Sequence, residues 1–324
     1  MKSATRYFLI SLALVAVILA GCSEDTSMPE VGEGSFATLR TYLIESDLDL
    51  PDILTDYLIL ASDLEANLSE YYVMDIRSEE VYNAGHIDGA VHSSLAQVVT
   101  DAASSGGKPI VVACLTGQEA AFAVVALRLS GYEDAVSLKW GMSGWNGDFD
   151  LWTGNTASIA VGHDNWSTDA TATLTPHAYP LLATTATDGA GILAERVAAM
   201  VSGGFKGVIA PNVLASPGDY FINTYLAQGD VTTYGHLDGA YRINPLTLDA
   251  NEFMYYDPNE TVVTYCWTGQ NSAIVTAYLI VLGYDAKSLK YGLNGLVFSE
   301  LTANKWTGPA DYAYVTSAPV LAAQ

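Results

Sequence analysis

Two of the three cysteines in this 324-residue chain stand in the same local setting. Cys114 lies in Val111–Ala121, VVACLTGQEAA, and Cys266 in Val263–Ala273, VTYCWTGQNSA. Each follows an apolar run and is itself followed by x-Thr-Gly-Gln and small residues. If a buried strand ends at the cysteine and a helix starts a few residues later, the sulfur sits at the carboxyl edge of a parallel sheet, where open α/β folds place ligands. Backbone amides of Thr116–Ala120 would then face the sulfur from the positive end of the helix, which stabilises a thiolate and a neighbouring anion. Gly117 and Gly269 permit the tight path this needs. The pattern is that of a nucleophile cradle. The alternatives are a small buried cysteine at a strand end, or a Cys114–Cys266 disulfide in an oxidising compartment. Repetition of the whole setting favours equivalent reactive sites in separate domains.

The repeat extends well beyond the cysteines. Tyr82–Ala90 reads YNAGHIDGA and Tyr234–Ala240 reads YGHLDGA, so His86 matches His236. Downstream, Ser130–Gly141 reads SGYEDAVSLKWG and Leu282–Gly292 reads LGYDAKSLKYG. The order is the same in both copies: GHxDGA, cysteine, GY, SLKxG. Such self-similarity implies a duplicated domain. The elements expected in the first copy are strands at Tyr71–Ile76, Pro109–Ala113 and Ala135–Leu138, with a buried helix at Ala120–Leu129. In the second copy they are strands at Tyr220–Ile222, Val262–Tyr265 and Ala286–Leu289, with a helix at Ser272–Leu282. Short apolar strands alternating with helices imply βα units and a small parallel sheet covered by helices on both faces.

Half of the residues are apolar and mean hydropathy is +0.22, enough for sizeable cores. Thirteen Lys and Arg stand against 36 Asp and Glu, a net charge of −23. That sign excludes nucleic acid as a partner, because phosphate contacts need cations. The N-terminus reads as a targeting segment. Lys2 and Arg6 precede the apolar run Tyr7–Ala20, which is too short to span a bilayer comfortably and has the plan of a secretory signal. Leu19–Cys22, LAGC, resembles the bacterial lipobox, in which the bond before the cysteine is cut and the cysteine is lipidated. This implies a signal peptide over 1–21, a lipid on Cys22, a membrane as partner and a place in the cell envelope. The acidic, Gly- and Pro-containing stretch that follows is read as a tether over 22–35. The remaining divisions are a first domain over 36–150, a Thr- and Ala-rich connection over 151–190, a second domain over 191–308 and a tail over 309–324.

Asp75, Arg77, Tyr82, Gly85-His86-Ile87, Gly89-Ala90, the Cys114 loop, Gly131-Tyr132 and LKWGMSGW at Leu138–Trp145 resemble the rhodanese family of sulfurtransferases. The likeness covers roughly 62–148 and, more weakly, 217–301. It implies an α/β fold of two rhodanese-like domains, each a small parallel sheet flanked by helices. It also implies a persulfide intermediate on Cys114, and by the same token on Cys266, with a small sulfur-containing donor, a thiol or cyanide acceptor, and no cofactor. The loops Leu115, Thr116, Gly117, Gln118, Glu119, Ala120 and Trp267, Thr268, Gly269, Gln270, Asn271, Ser272 would hold the transferred sulfur. Asp75 with Arg77 matches the family's ion pair, a structural role, and His86 and His236 are expected to be structural as well.

The chain also departs from the family pattern. Its best-known thiosulfate-using members carry Arg or Lys within the loop, whereas CLTGQEA and CWTGQNS have none and Glu119 adds an acid. Neutral or weakly charged donors are therefore expected to be preferred over thiosulfate. In the second copy the ion pair is absent, with Tyr225 and Ala227, or Thr224 and Leu226, at its positions depending on register. A second class of function is a non-catalytic rhodanese scaffold used for binding or for sulfide or redox sensing. Related phosphatases need Cys-x5-Arg, but Ala120 and Ser272 occupy that sixth position. No motif spaced for a metal or a phosphate cradle is present.

Overall fold

The computed structural model describes residues 34–317. Cys22, the signal segment and most of the tether lie outside the described residues, as does the end of the tail. Among the described residues no helix is long and apolar enough to cross a membrane.

The first half contains α1 (Ser35–Glu45), α2 (Leu50–Leu54), β1 (Leu58–Ile59), α3 (Ala61–Ala66), β2 (Tyr72–Asp75), α4 (Glu79–Ala84), β3 (Val91–His92), α5 (Val98–Asp101), β4 (Ile110–Ala113), α6 (Gln118–Leu129), β5 (Val136–Leu138) and α7 (Met142–Trp145). The connection adds β6 (Trp166–Ser167). The second half contains α8 (Gly189–Gly203), β7 (Gly207–Val208), α9 (Ala210–Ala215), β8 (Phe221–Thr224), α10 (Gln228–Tyr234), β9 (His236–Leu237), β10 (Val262–Tyr265), α11 (Gln270–Val281) and β11 (Ala286–Leu289). The first sheet has the order β1-β5-β4-β2-β3 and the second β7-β11-β10-β8, and every pairing in both is parallel. Two α/β domains of parallel strands flanked by helices follow.

α6 and α11 explain how the halves meet. A helix apolar all round must be covered all round, and Ala120–Leu127 are wholly buried. One side of α6 lies on its own sheet and the other against α11, which is treated alike, and one apolar core runs through both domains. The segments after each domain cross to the other one. Trp166 and Ser167, in the connection, pair antiparallel with Leu237 and His236 of the second domain. Val315, in the tail, exchanges two 2.9 Å backbone hydrogen bonds with His86 of the first. The tail is held further by Trp145 Nε1, which donates to the Ala313 carbonyl at 2.8 Å.

Candidate active site

Strand β4 ends at Ala113, and α6 opens at Gln118 with Gly117 at a φ of 78°. The helix thus starts two residues before the apolar run that marks it in the sequence. Cys114 Sγ accepts from the amides of Gly117 at 3.1 Å and Ala120 at 3.3 Å. The loop's back is held by the turn after β5: Met142 and Ser143 amides donate to the carbonyls of Cys114 and Leu115 at 2.8 and 3.0 Å. This accounts for the repeated glycine of SLKxG. A methyl group on Gly141 would fall inside contact distance of the Cys114 carbonyl oxygen, and one on Gly292 would do the same at Cys266.

Cys266 repeats the frame with a different lining. Its sulfur takes one amide, from Ser272 at 3.4 Å, and donates to Ser272 Oγ at 3.7 Å, which lies 2.9 Å from Ser288 Oγ. Asn271 accepts from Tyr57 of the first domain at 2.7 Å. Both cysteines are buried free thiols, so the disulfide alternative is not realised.

Beside Cys114 lies a cavity of about 390 Å³, walled by Cys114, Thr116, Glu119, Arg77 and, from the second domain, Lys290 and Tyr291. The amides act on this sulfur in the direction that stabilises a thiolate, but burial outweighs them. Burial pushes the Cys114 thiol up to about 11, the Glu119 carboxylate adds to the rise, and the amides of Ala120, Thr116 and Gly117 only offset part of it. Glu119 is itself raised by burial and drawn down by Lys290.

Arg77 and Asp75 form a buried, doubly hydrogen-bonded pair, with Nε to Oδ1 at 2.8 Å and Nη2 to Oδ2 at 2.6 Å, and Nη2 also reaches the Gly85 carbonyl at 2.6 Å. Arg77 is nevertheless part of the cavity wall. The strand register puts Thr224 and Leu226 at the matching positions of the second domain, because Tyr265 pairs with Thr224 as Ala113 pairs with Asp75. His86 Nδ1 meets the Tyr82 carbonyl at 2.9 Å and its ring stacks on Tyr82 at 3.9 Å. His236 bridges the carbonyls of Leu237 and Asp169 at 2.8 and 2.9 Å. Neither histidine borders the cavity at Cys114.

The two loops touch. Gln118 Oε1 accepts from the Tyr291 amide at 2.9 Å, and Gln270 Nε2 lies 3.5 Å from the Gly117 carbonyl. Trp152 Nε1, from the connection, donates to the Thr116 carbonyl at 3.2 Å. Lys290, Tyr291 and Trp152 were not legible as site residues. The only signal was the recurrence of LKxG after the last strand, which says nothing about which cavity the lysine enters.

The family model for the rhodanese-like domain matches residues 60–148 and 221–297. The chain is 34% identical over 93 residues to thiosulfate sulfurtransferase GlpE of Pseudomonas fluorescens, covering 28% of this chain and 79% of that protein. It is 35% identical over 77 residues to thiosulfate sulfurtransferase GlpE of Shewanella oneidensis, covering 23% and 74%. Among solved structures, a rhodanese-related protein from Thermoplasma volcanium matches at 26% identity, with a TM-score of 0.25, over 27% of this chain and 87% of that one. The two matched domains and the two GlpE relatives support a sulfurtransferase-type function. With two matched segments, two parallel-sheet domains and a cysteine at the same strand end in each, the chain belongs to the rhodanese-like domain family.

Proposed function

We propose that the protein is an envelope-anchored sulfurtransferase that carries sulfane sulfur as a persulfide on Cys114. The observation that supports this most directly is the Cys114 sulfur at the wall of a cavity sized for a small molecule, facing the amides of Gly117 and Ala120. After the thiol loses its proton to solvent, the thiolate attacks the outer sulfur of a donor such as thiosulfate. The donor's S–S bond breaks, sulfite leaves with the bonding pair, and Cys114 holds the sulfur as a persulfide anion near the loop amides. Cyanide or a thiolate then attacks that outer sulfur, the persulfide S–S bond breaks, and the Cys114 thiolate returns. Cys266, with one amide and a serine hydroxyl at its sulfur, is the second candidate carrier.

Thiocyanate release from cyanide plus donor by the full-length chain tests the reading. It should fall sharply in Cys114→Ser, any remainder being carried by Cys266, and undiminished turnover in that variant would refute it. The anchoring rests on the basic start, the apolar run and LAGC at Leu19–Cys22. Fatty-acid labelling of the wild type but not of Cys22→Ala is the expected result, and labelling of both would refute it.

A further inference from the structure

The Cys114 loop has no cation of its own, yet its cavity has one from the other domain. Lys290 follows β11, and its half-buried stem lies across β7. A methyl group at Gly207 would come 2.5 Å from Lys290 Cε and 3.1 Å from Cγ. The bare backbone of Gly207 is therefore what leaves room for the stem on its way to the cavity. The first domain does not repeat this. Leu58 fills the strand position that matches Gly207, and Lys139, the counterpart of Lys290, lies over the Trp140 ring at 5.5 Å.

Among the described residues the Lys290 ammonium donates no hydrogen bond and has no ion-pair partner. The ion pairs found there are Asp75–Arg77 and His177–Asp257. The same cavity is walled by Arg77, which is 5% exposed and whose Nη1 is buried without a hydrogen-bond partner. Lys290, without an ion-pair partner, and Arg77 both line one small space beside a nucleophile, with Glu119, which Lys290 draws down, as the opposing charge.

Resting on the persulfide reading above, we propose that Lys290 of the second domain holds the oxyanion end of a small thiosulfonate-type donor, a terminal sulfur on a sulfonyl group, of which thiosulfate is the inorganic parent, while Cys114 takes its outer sulfur. Sulfite, or the corresponding sulfinate, leaves with the bonding pair beside the ammonium, where its charge is compensated. The first-domain site is then completed by the second domain. The donor preference expected from the loops alone is reversed, because the missing cation comes from outside the loop.

The test compares Cys114 loading in the full-length chain by thiosulfate, read as a gain of one sulfur, and by an uncharged organic trisulfide, read as a gain of its central sulfur with one alkylthio group as the other leaves as thiolate, both by site-resolved mass spectrometry. Lys290→Ala should lower the thiosulfate-to-trisulfide rate ratio about tenfold or more, and Lys290→Arg should restore part of it. Gly207→Ala, which keeps the charge and displaces the stem, should lower the ratio in the wild type and not in the Lys290→Ala background. Added salt should lower the wild-type ratio and leave that of Lys290→Ala level. If Lys290→Ala loads normally from both donors, or loses both rates equally, the donor role is overturned while the persulfide reading stands. If wild-type Cys114 takes sulfur from neither donor, the persulfide reading fails and this proposal falls with it.

Discussion

Raising the pH perturbs the Cys114 site without changing a residue. With its thiol pushed up to about 11, first by burial and then by Glu119, only about one chain in a thousand carries the thiolate at pH 8, since each pH unit below the midpoint costs a factor of ten. The thiolate is the nucleophile, so sulfur loading of Cys114 by an uncharged trisulfide should climb about tenfold per pH unit between pH 7 and 9.5, with no plateau in that range. Glu119→Gln removes a like charge and should shift the profile to lower pH, making loading at pH 8 roughly three- to tenfold faster. The assay is quenched-flow loading followed by mass analysis of the Cys114 peptide, which separates this thiol from Cys266. A plateau below pH 9, or slower loading of Glu119→Gln at pH 8, would refute the claim that burial and Glu119 together hold the sulfur protonated.

Two further outcomes concern stability. Arg77→Ala leaves Asp75 buried without its partner and should cost roughly 3–5 kcal/mol in chemical denaturation, as for other broken buried pairs; a cost below about 1 kcal/mol would show that the pair is not structural. Burial raises the phenols of Tyr256, Tyr265, Tyr278 and Tyr284, and lifts Tyr225 to about 12. A raised folded value gives stability that is complete below the unfolded value near 10 and is lost as pH rises through the folded value. Unfolding free energy should therefore be level through neutral pH and fall steeply above about pH 10, by up to about 1.4 kcal/mol per pH unit for each phenol; a flat response to pH 11.5 in a melting series would contradict this.

What the sequence disclosed was what neighbouring residues determine. The cysteine loops, the duplicated order of motifs and the central strands β2, β4, β5, β10 and β11 follow from local apolar runs and from glycines whose turns are short-range. The edge strands β1, β3 and β7 are two residues long and carry no periodicity of their own; their neighbours in the sheet define them. The register that puts Thr224 and Leu226 at the positions equivalent to the ion pair is one of two readings, and only the β8–β10 ladder decides between them. The crossing of Val315 to His86 and of Trp166 to Leu237 is invisible locally, because it depends on how the two domains pack. At Cys114 the sequence showed the amides but not the depth of burial, and burial is the larger effect on the thiol. The cation at that site is not legible in the loop, because Lys290 belongs to the other copy's SLKYG.

The central claim is that Cys114 carries transferred sulfur. Mass analysis of the Cys114 peptide from the full-length chain, taken after exposure to thiosulfate and again after cyanide, tests it most directly. The account predicts a gain of one sulfur atom that cyanide removes as thiocyanate. A Cys114 peptide that never gains sulfur, while the chain still converts cyanide to thiocyanate, would contradict it.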